Sequence, residues 1–165
     1  VRWVFNSTPL IYLSKAGVSW IFEELEGEKL IPEAVYREVV VKGRERGDVD
    51  AFIVSSLIEN NVIRVVKADV REALRGVREI QDGEKEVIEV ALRYNAIAIL
   101  DDSIARQVGE ALGARVHGTL YLIFLMVKSG KLGRKDARVV VERMMAQGFR
   151  LSSEVYSEFL RLLGL

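Results

Sequence analysis

The chain has 165 residues, 50% hydrophobic and 29% charged, the size of one compact domain that can bury a core without disulfides or a structural metal. Cysteine is absent and His117 is the only histidine, which excludes thiol catalysis, iron–sulfur clusters, thiolate zinc sites and multi-histidine metal sites. Lys and Arg total 24 and Asp and Glu total 24, so no global positive field advertises nucleic acid or an anionic membrane, and any such binding must be local. The longest apolar run, Leu120–Val127, is eight residues, far below the roughly 20 needed to span a bilayer. No N-terminal stretch has the sections of a secretory signal, so a cytoplasmic protein without membrane association is expected. Three Gln, four Asn, no Cys and abundant Glu, Arg and Lys lean toward a thermophilic source.

In chain order, the first β-type run is Arg2–Phe5, short, apolar and followed at once by Asn6-Ser7-Thr8. Helical patterns follow at Pro9–Lys15 and Val18–Leu25, then a brief strand at Lys29–Ile31. Pro32 is expected at the first position of a helix, Pro32–Val41, with a Gly-containing turn at Lys42–Asp48. A helix at Asp48–Glu59 leads to a strand at Val62–Val66, and Asp82 is expected to cap a helix over Gly83–Tyr94. The strand Ile97–Leu100 runs directly into Asp101-Asp102, and the helix Ser103–Leu112 ends at Gly113. The last strand, Ala114–His117, precedes a helix over Thr119–Ser129, apolar nearly all round and followed by Gly130. Helices at Arg134–Gln147 and, capped by Ser152, at Ser152–Leu163 have no strand after them. They read as a C-terminal extension, 133–165, packed on the domain formed by 1–132. Strands alternating with helices predict an α/β fold, a three-layer α/β/α sandwich around a mostly parallel sheet of about five strands.

In an open sheet of this kind ligands bind beyond the carboxyl ends of the strands. Asn6-Ser7-Thr8 and Asp101-Asp102 both fall at that edge, and Glu38 and Glu84 join them if their helices start there. Carboxylates converging on one spot repel and raise one another's pKa unless a cation sits among them. An all-oxygen ligand set suits Mg²⁺ or Mn²⁺, and the chemistry of such sites is phosphodiester hydrolysis through activated water. Each acid also has a purely structural reading. Glu84 suits a helix dipole, Asp101 or Asp102 suits an N-cap, and Glu38 suits a solvated surface.

The phrases Val4-Phe5-Asn6-Ser7-Thr8-Pro9-Leu10-Ile11, Ile31-Pro32-Glu33-Ala34-Val35-Tyr36-Arg37-Glu38-Val39, Asp82-Gly83-Glu84-Lys85-Glu86-Val87-Ile88, Ile99-Leu100-Asp101-Asp102-Ser103-Ile104-Ala105-Arg106 and Gly118-Thr119-Leu120 with Lys128 and Gly130 occur in an order and spacing that resembles the PIN domain family, in particular its VapC-type toxin nucleases. The likeness covers about residues 1 to 132. It implies an acidic pocket binding Mg²⁺ or Mn²⁺ and endonucleolytic cleavage of RNA, with a homodimer and a restraining antitoxin as partners. The family's metal-binding acids map onto Asn6, Glu38, Glu84 and Asp101, with Asp102 as an accessory and the motif hydroxyl at Ser7 or Thr8. At the first of these positions the family usually carries Asp. Asn6 ligates a hard cation through its carbonyl oxygen but brings no charge and accepts no proton from water. Losing one unit charge some 4 Å from an ion removes roughly 4 kcal/mol per unit of opposing charge before solvent compensation. Two readings therefore stand side by side: a weakened nuclease resting on Glu38, Glu84, Asp101 and Asp102, or a silent module that binds RNA or protein. Phosphoryl transfer to an acid after the first strand is disfavoured, since Asn6 supplies none.

Arg106, one helical turn after Asp102, is expected either to clamp a substrate phosphate or to hold the acids in an ion pair. Lys42, Arg44 and Arg46 form either a phosphate-binding rim or a plain solvated loop with Glu45 and Asp48. Thr119 is expected to be the N-cap of its helix, with substrate contact as the alternative. His117 reads as a hydrogen-bonding residue rather than a general base.

Overall fold

The computed structural model describes residues 1–165. In chain order it consists of β1 (Arg2–Phe5), α1 (Ser7–Lys15), α2 (Trp20–Glu24), β2 (Glu28–Pro32) and α3 (Glu33–Tyr36). A π-helical turn (Arg37–Val41) joins α3 to α4 (Lys42–Arg46), and then come α5 (Val49–Glu59), β3 (Arg64–Val66), α6 (Glu72–Arg75), α7 (Asp82–Tyr94) and β4 (Ile97–Ile99). The chain closes with α8 (Ser103–Ala111), β5 (Arg115–His117), α9 (Thr119–Lys128), α10 (Arg134–Ala146) and α11 (Ser153–Leu162).

Helical crossovers between successive strands force them to run parallel. The five strands form one all-parallel sheet in the order β3-β2-β1-β4-β5, with Val4 of β1 opposite Leu30 of β2 and Ala98 of β4. The order reverses between β1 and β4, and the switch opens a crevice at their carboxyl ends. Val4, Phe5, Leu30, Ile31, Ala98 and Ile99 are all fully buried, as strands covered by helices on both faces require. The expected α/β/α sandwich is the architecture found.

One hydrophobic cluster of 41 residues runs through the molecule and includes Ala137, Val140, Val141 and Met144 of α10 and Phe159 of α11. The terminal helices therefore share the core of the sheet. Phe5 meets Phe22 edge-to-face at 5.0 Å, an arrangement worth about 0.5–1.5 kcal/mol beyond area burial. The all-round apolar character of α9 follows from its place beside both α2 and α10. No helix is long and apolar enough to cross a membrane.

Several boundaries differ from expectation, each for a local reason. Pro32 is not the first helical residue. It ends β2 with extended backbone (φ −77, ψ 164) and serves as the N-cap of α3. The helix expected to stop at Val41 continues to Arg46, where Gly47 in the left-handed region (φ 76) ends it. The expected turn shrinks to Gly47-Asp48, Arg46 pairs with Asp48 at 3.0 Å, and Arg44 donates to Ser55. Gln81, not Asp82, is the N-cap of α7. The short α6 was not expected, yet its Leu74 is fully buried.

Candidate active site

The crevice at the strand switch is built from four separate elements. The Asn6 N–H donates to the Ile99 carbonyl at 3.2 Å, which extends the β1–β4 pairing by one residue and fixes Asn6 beside the end of β4. Ser7 begins α1 and is buried, and its hydroxyl donates to Glu38 Oε2 at 2.6 Å. Glu38 lies in the π-helical turn, a feature that shifts side-chain register by one residue and recurs at functional sites. Gly83, in the first turn of α7, completes the group. A Cβ added there would sit 3.6 Å from Asn6 Oδ1, 3.7 Å from Val35 Cγ2 and 3.9 Å from Glu38 Oε2, so the missing side chain leaves a small cradle bordered by two oxygens and one methyl group.

Glu84 follows, with only 7% of its surface exposed. One of its oxygens accepts the Gln81 N–H at 2.8 Å, across the first turn of α7. Burial pushes its carboxyl above the ordinary carboxylate range. The Gln81 hydrogen bond opposes that shift, while the nearby anions Asp102 and Glu38 reinforce it.

Asp101 and Asp102 are adjacent in the chain but serve different helices. Asp101 accepts the Thr119 N–H at 2.9 Å and the Thr119 hydroxyl at 2.6 Å, and so caps α9 from another element. Burial raises its pKa, against the pull of the two Thr119 hydrogen bonds and the Arg106 charge. Asp102 is the N-cap of α8 and accepts the Ala105 N–H at 2.9 Å. The Arg106 guanidinium lies toward Asp101: a Cβ on Gly118 would be 3.0 Å from Asp101 Oδ1 and 3.6 Å from Arg106 Nη1. Arg106 forms no ion pair within 4.0 Å, contrary to its expected role as a clasp on the acids.

The acids therefore divide into two sets. Asn6, Glu38, Glu84 and Asp102 share one region, while Asp101 stands with Thr119, Gly118 and Arg106. No three acidic or histidine groups gather closely enough to hold one ion. Glu84, Asp101 and Asp102 each direct an oxygen to a backbone N–H. Thr119 is not its own helix's N-cap. Gly118 holds that position, and Thr119 is wholly buried with both its donors on Asp101. Thr119 and Ser7 thus hold carboxylates in place.

The sequence reading missed the loop after α10. Phe149 and Arg150 line a cleft of about 350 Å³ that includes Asp101, Arg106, His117 and Tyr121. The same loop borders a second cleft of about 320 Å³, with Thr8, Tyr12, Asp101 and Asp102. No local periodicity encodes this placement.

Residues 2–165 match the PIN domain family. The chain belongs to the PIN domain family. PIN domains are nuclease-type modules. No functionally curated protein matches the chain. Among solved structures, it is similar to a domain of a functionally unknown protein from Methanocaldococcus jannaschii DSM 2661, with 16% identity, a TM-score of 0.48, and coverage of 71% of this chain and 89% of that one.

Proposed function

We propose that this PIN domain is a Mg²⁺- or Mn²⁺-dependent endoribonuclease that cuts RNA at the crevice beside β1 and β4. The observation that carries this reading is the cradle over Gly83, bordered by Asn6 Oδ1 and Glu38 Oε2 next to buried Glu84. The donor chemistry fits a hard divalent cation, being all oxygen and net anionic. Asn6, Glu38 and Glu84 would hold the ion, with Asp102 and Asp101 at its margins. When bound, such an ion supplies activated water and stabilises charge on the leaving oxygen.

The chain's own residues do the rest. Ser7 fixes the Glu38 carboxylate, and Gln81 fixes one oxygen of Glu84, so both acids are oriented before substrate arrives. Thr119 holds Asp101 at the boundary between the acids and Arg106. Arg106 has no protein partner and supplies positive charge for a phosphate, and Thr8 faces the smaller cleft. Glu38, Glu84, Asp101 and Asp102 are the carboxylates available to take a proton from the attacking water, because Asn6 takes none. A toxin role, a restraining antitoxin and a homodimer belong to the same proposal and are supported by the likeness to the VapC-type nucleases.

The test is cleavage of end-labelled RNA by purified protein with Mn²⁺. Cleavage is expected, with loss in EDTA and in the Glu38→Gln and Asp101→Asn variants. No cutting by the native chain with either metal overturns the proposal.

A second reading, a silent PIN module that binds RNA or protein, is favoured by Asn6, which brings no charge to the crevice. Cleavage by Asn6→Asp alone supports that reading, as a site disarmed by one substitution. Mn²⁺ binding by the native chain in the micromolar range contradicts it.

A further inference from the structure

The 350 Å³ cleft on the α9 side of Asp101, which itself lines it, gathers two arginines and a stacked ring pair. It lies within the size range of small-molecule sites. Its walls come from α8 through Arg106, the end of β5 through His117, α9 through Tyr121, and the loop after α10 through Phe149 and Arg150. The His117 ring stacks on Tyr121 with centroids 3.8 Å apart and planes 9° from parallel. Neither the His117 ring nitrogens nor the Tyr121 hydroxyl has a hydrogen-bond partner in the chain. Arg106 and Arg150 both lack ion pairs, as do Arg44, Arg75, Arg78, Arg115, Arg134 and Arg143, but these two are the ones that line a common cleft.

Two guanidinium groups free of ion pairs beside a stacked His–Tyr pair suit a phosphate joined to a ring. Guanidinium binds phosphate oxygens through paired N–H donors, and aromatic faces accept unstacked bases with little sequence demand. We propose that this cleft is a nucleotide subsite, holding one unpaired RNA nucleotide with its phosphate on Arg106 and Arg150 and its base against the His117–Tyr121 pair. Burial and the Arg106 charge lower the His117 pKa against the opposing Glu110 charge, which favours the neutral ring with one donor and one acceptor for a base edge. The proposal rests on the nuclease reading for the identity of the strand as RNA, but binding in the cleft needs neither metal nor cleavage.

The experiment measures binding in EDTA, by calorimetry and chemical-shift mapping, of the four nucleoside 5′-monophosphates, an uncleavable 2′-O-methyl hexanucleotide and inorganic phosphate. The nucleotides and the oligonucleotide are expected to compete for one site mapped to Arg106, His117 and Arg150, with inorganic phosphate at least about tenfold weaker. Arg106→Gln and His117→Ala should each weaken nucleotide binding about tenfold, while Lys135→Gln, at an exposed position of α10 outside the cleft, leaves it unchanged. Should Arg106→Gln not fold, Arg150→Gln, in an exposed position, reads the same contact. Inorganic phosphate binding as tightly as nucleotide, affinity unmoved by the arginine and histidine variants, or no nucleotide binding at millimolar concentration overturns the subsite. Nucleotide binding without RNA cleavage under either metal removes the nuclease reading and leaves the subsite standing.

Discussion

Replacing Asn6 with Asp changes one unit of charge at constant shape, and so reports directly on the electrostatics of the crevice. Asn6 Oδ1 and Glu38 Oε2 lie 3.6 and 3.9 Å from one point over Gly83. They are therefore no more than about 7–8 Å apart, where two unit charges at an effective dielectric of 20 repel by about 2 kcal/mol. Glu38 is an exposed residue, so water and salt reduce this to about 1 kcal/mol. In EDTA the Asn6→Asp protein should melt about 2–4 °C below the native chain. Saturating Mn²⁺ should reverse the sign. A tenfold gain in ion affinity adds about 1.4 kcal/mol at fixed ion concentration, bringing the variant level with or above the native chain. Thermal unfolding across an EDTA and Mn²⁺ series measures both halves, and RNA cleavage should rise with the second. A variant as stable as the native chain in EDTA, with the same Mn²⁺ response, would show that Asn6 and Glu38 share no cation site.

Three further outcomes follow from the same geometry. In Gly83→Ala the new methyl makes only ordinary contacts of 3.6–3.9 Å; the helix should gain up to about 0.5–1 kcal/mol while the Mn²⁺-induced melting shift and RNA cleavage fall, and undiminished cleavage would refute a role for the cradle. The raised pKa of Glu84 means the folded chain holds that proton more tightly than the unfolded chain, so stability falls as pH rises from the unfolded value near about 4.3 through the folded one. Glu84→Gln should gain on the native chain across that window in urea unfolding and then level off, and a pH-independent difference refutes it. Glu89 is 0% exposed and accepts the Arg71 N–H, Nε and Nη2 at 2.9, 2.8 and 2.8 Å, while Arg71 is 43% exposed and can rehydrate when its partner is lost. Glu89→Ala should therefore cost about 2–3 kcal/mol at pH 7. Arg71, and more weakly Arg93, hold the Glu89 carboxyl below the usual range, so this contribution is present above the unfolded pKa and lost as pH falls through the folded one. Native and variant curves that fail to converge in acid, or a neutral-pH loss below about 1 kcal/mol, would contradict this account.

The strands were legible because parallel strands buried on both faces read as unbroken apolar runs ending in polar residues, as Val4-Phe5-Asn6 and Ile99-Leu100-Asp101 do. All five lie within two residues of their expected bounds. Glu38 and Glu84 were legible as acids near helix starts at the correct edge. The divergence of Asp101 from Asp102 was not, because it depends on Thr119, eighteen residues on, offering two donors to one of them. The π-helical turn at Arg37–Val41 leaves no mark on apolar spacing. Arg150 reaches the site, and Arg71 reaches Glu89, through loops whose packing follows the tertiary fold and not a local pattern.

β1 precedes the other four strands in the chain, yet it lies at the centre of the sheet, with Trp3 beside Lys29 on one side and Ile97 on the other. Until Ile97–Ile99 has left the ribosome, at roughly 5–20 residues per second, one hydrogen-bonding edge of β1 has no native neighbour and Asn6 lacks its anchor on Ile99. Nascent chains shorter than this carry Glu38 and Glu84 but no assembled crevice. The crevice at the strand switch is therefore a product of long-range pairing, and it assembles only once β4 has docked on β1.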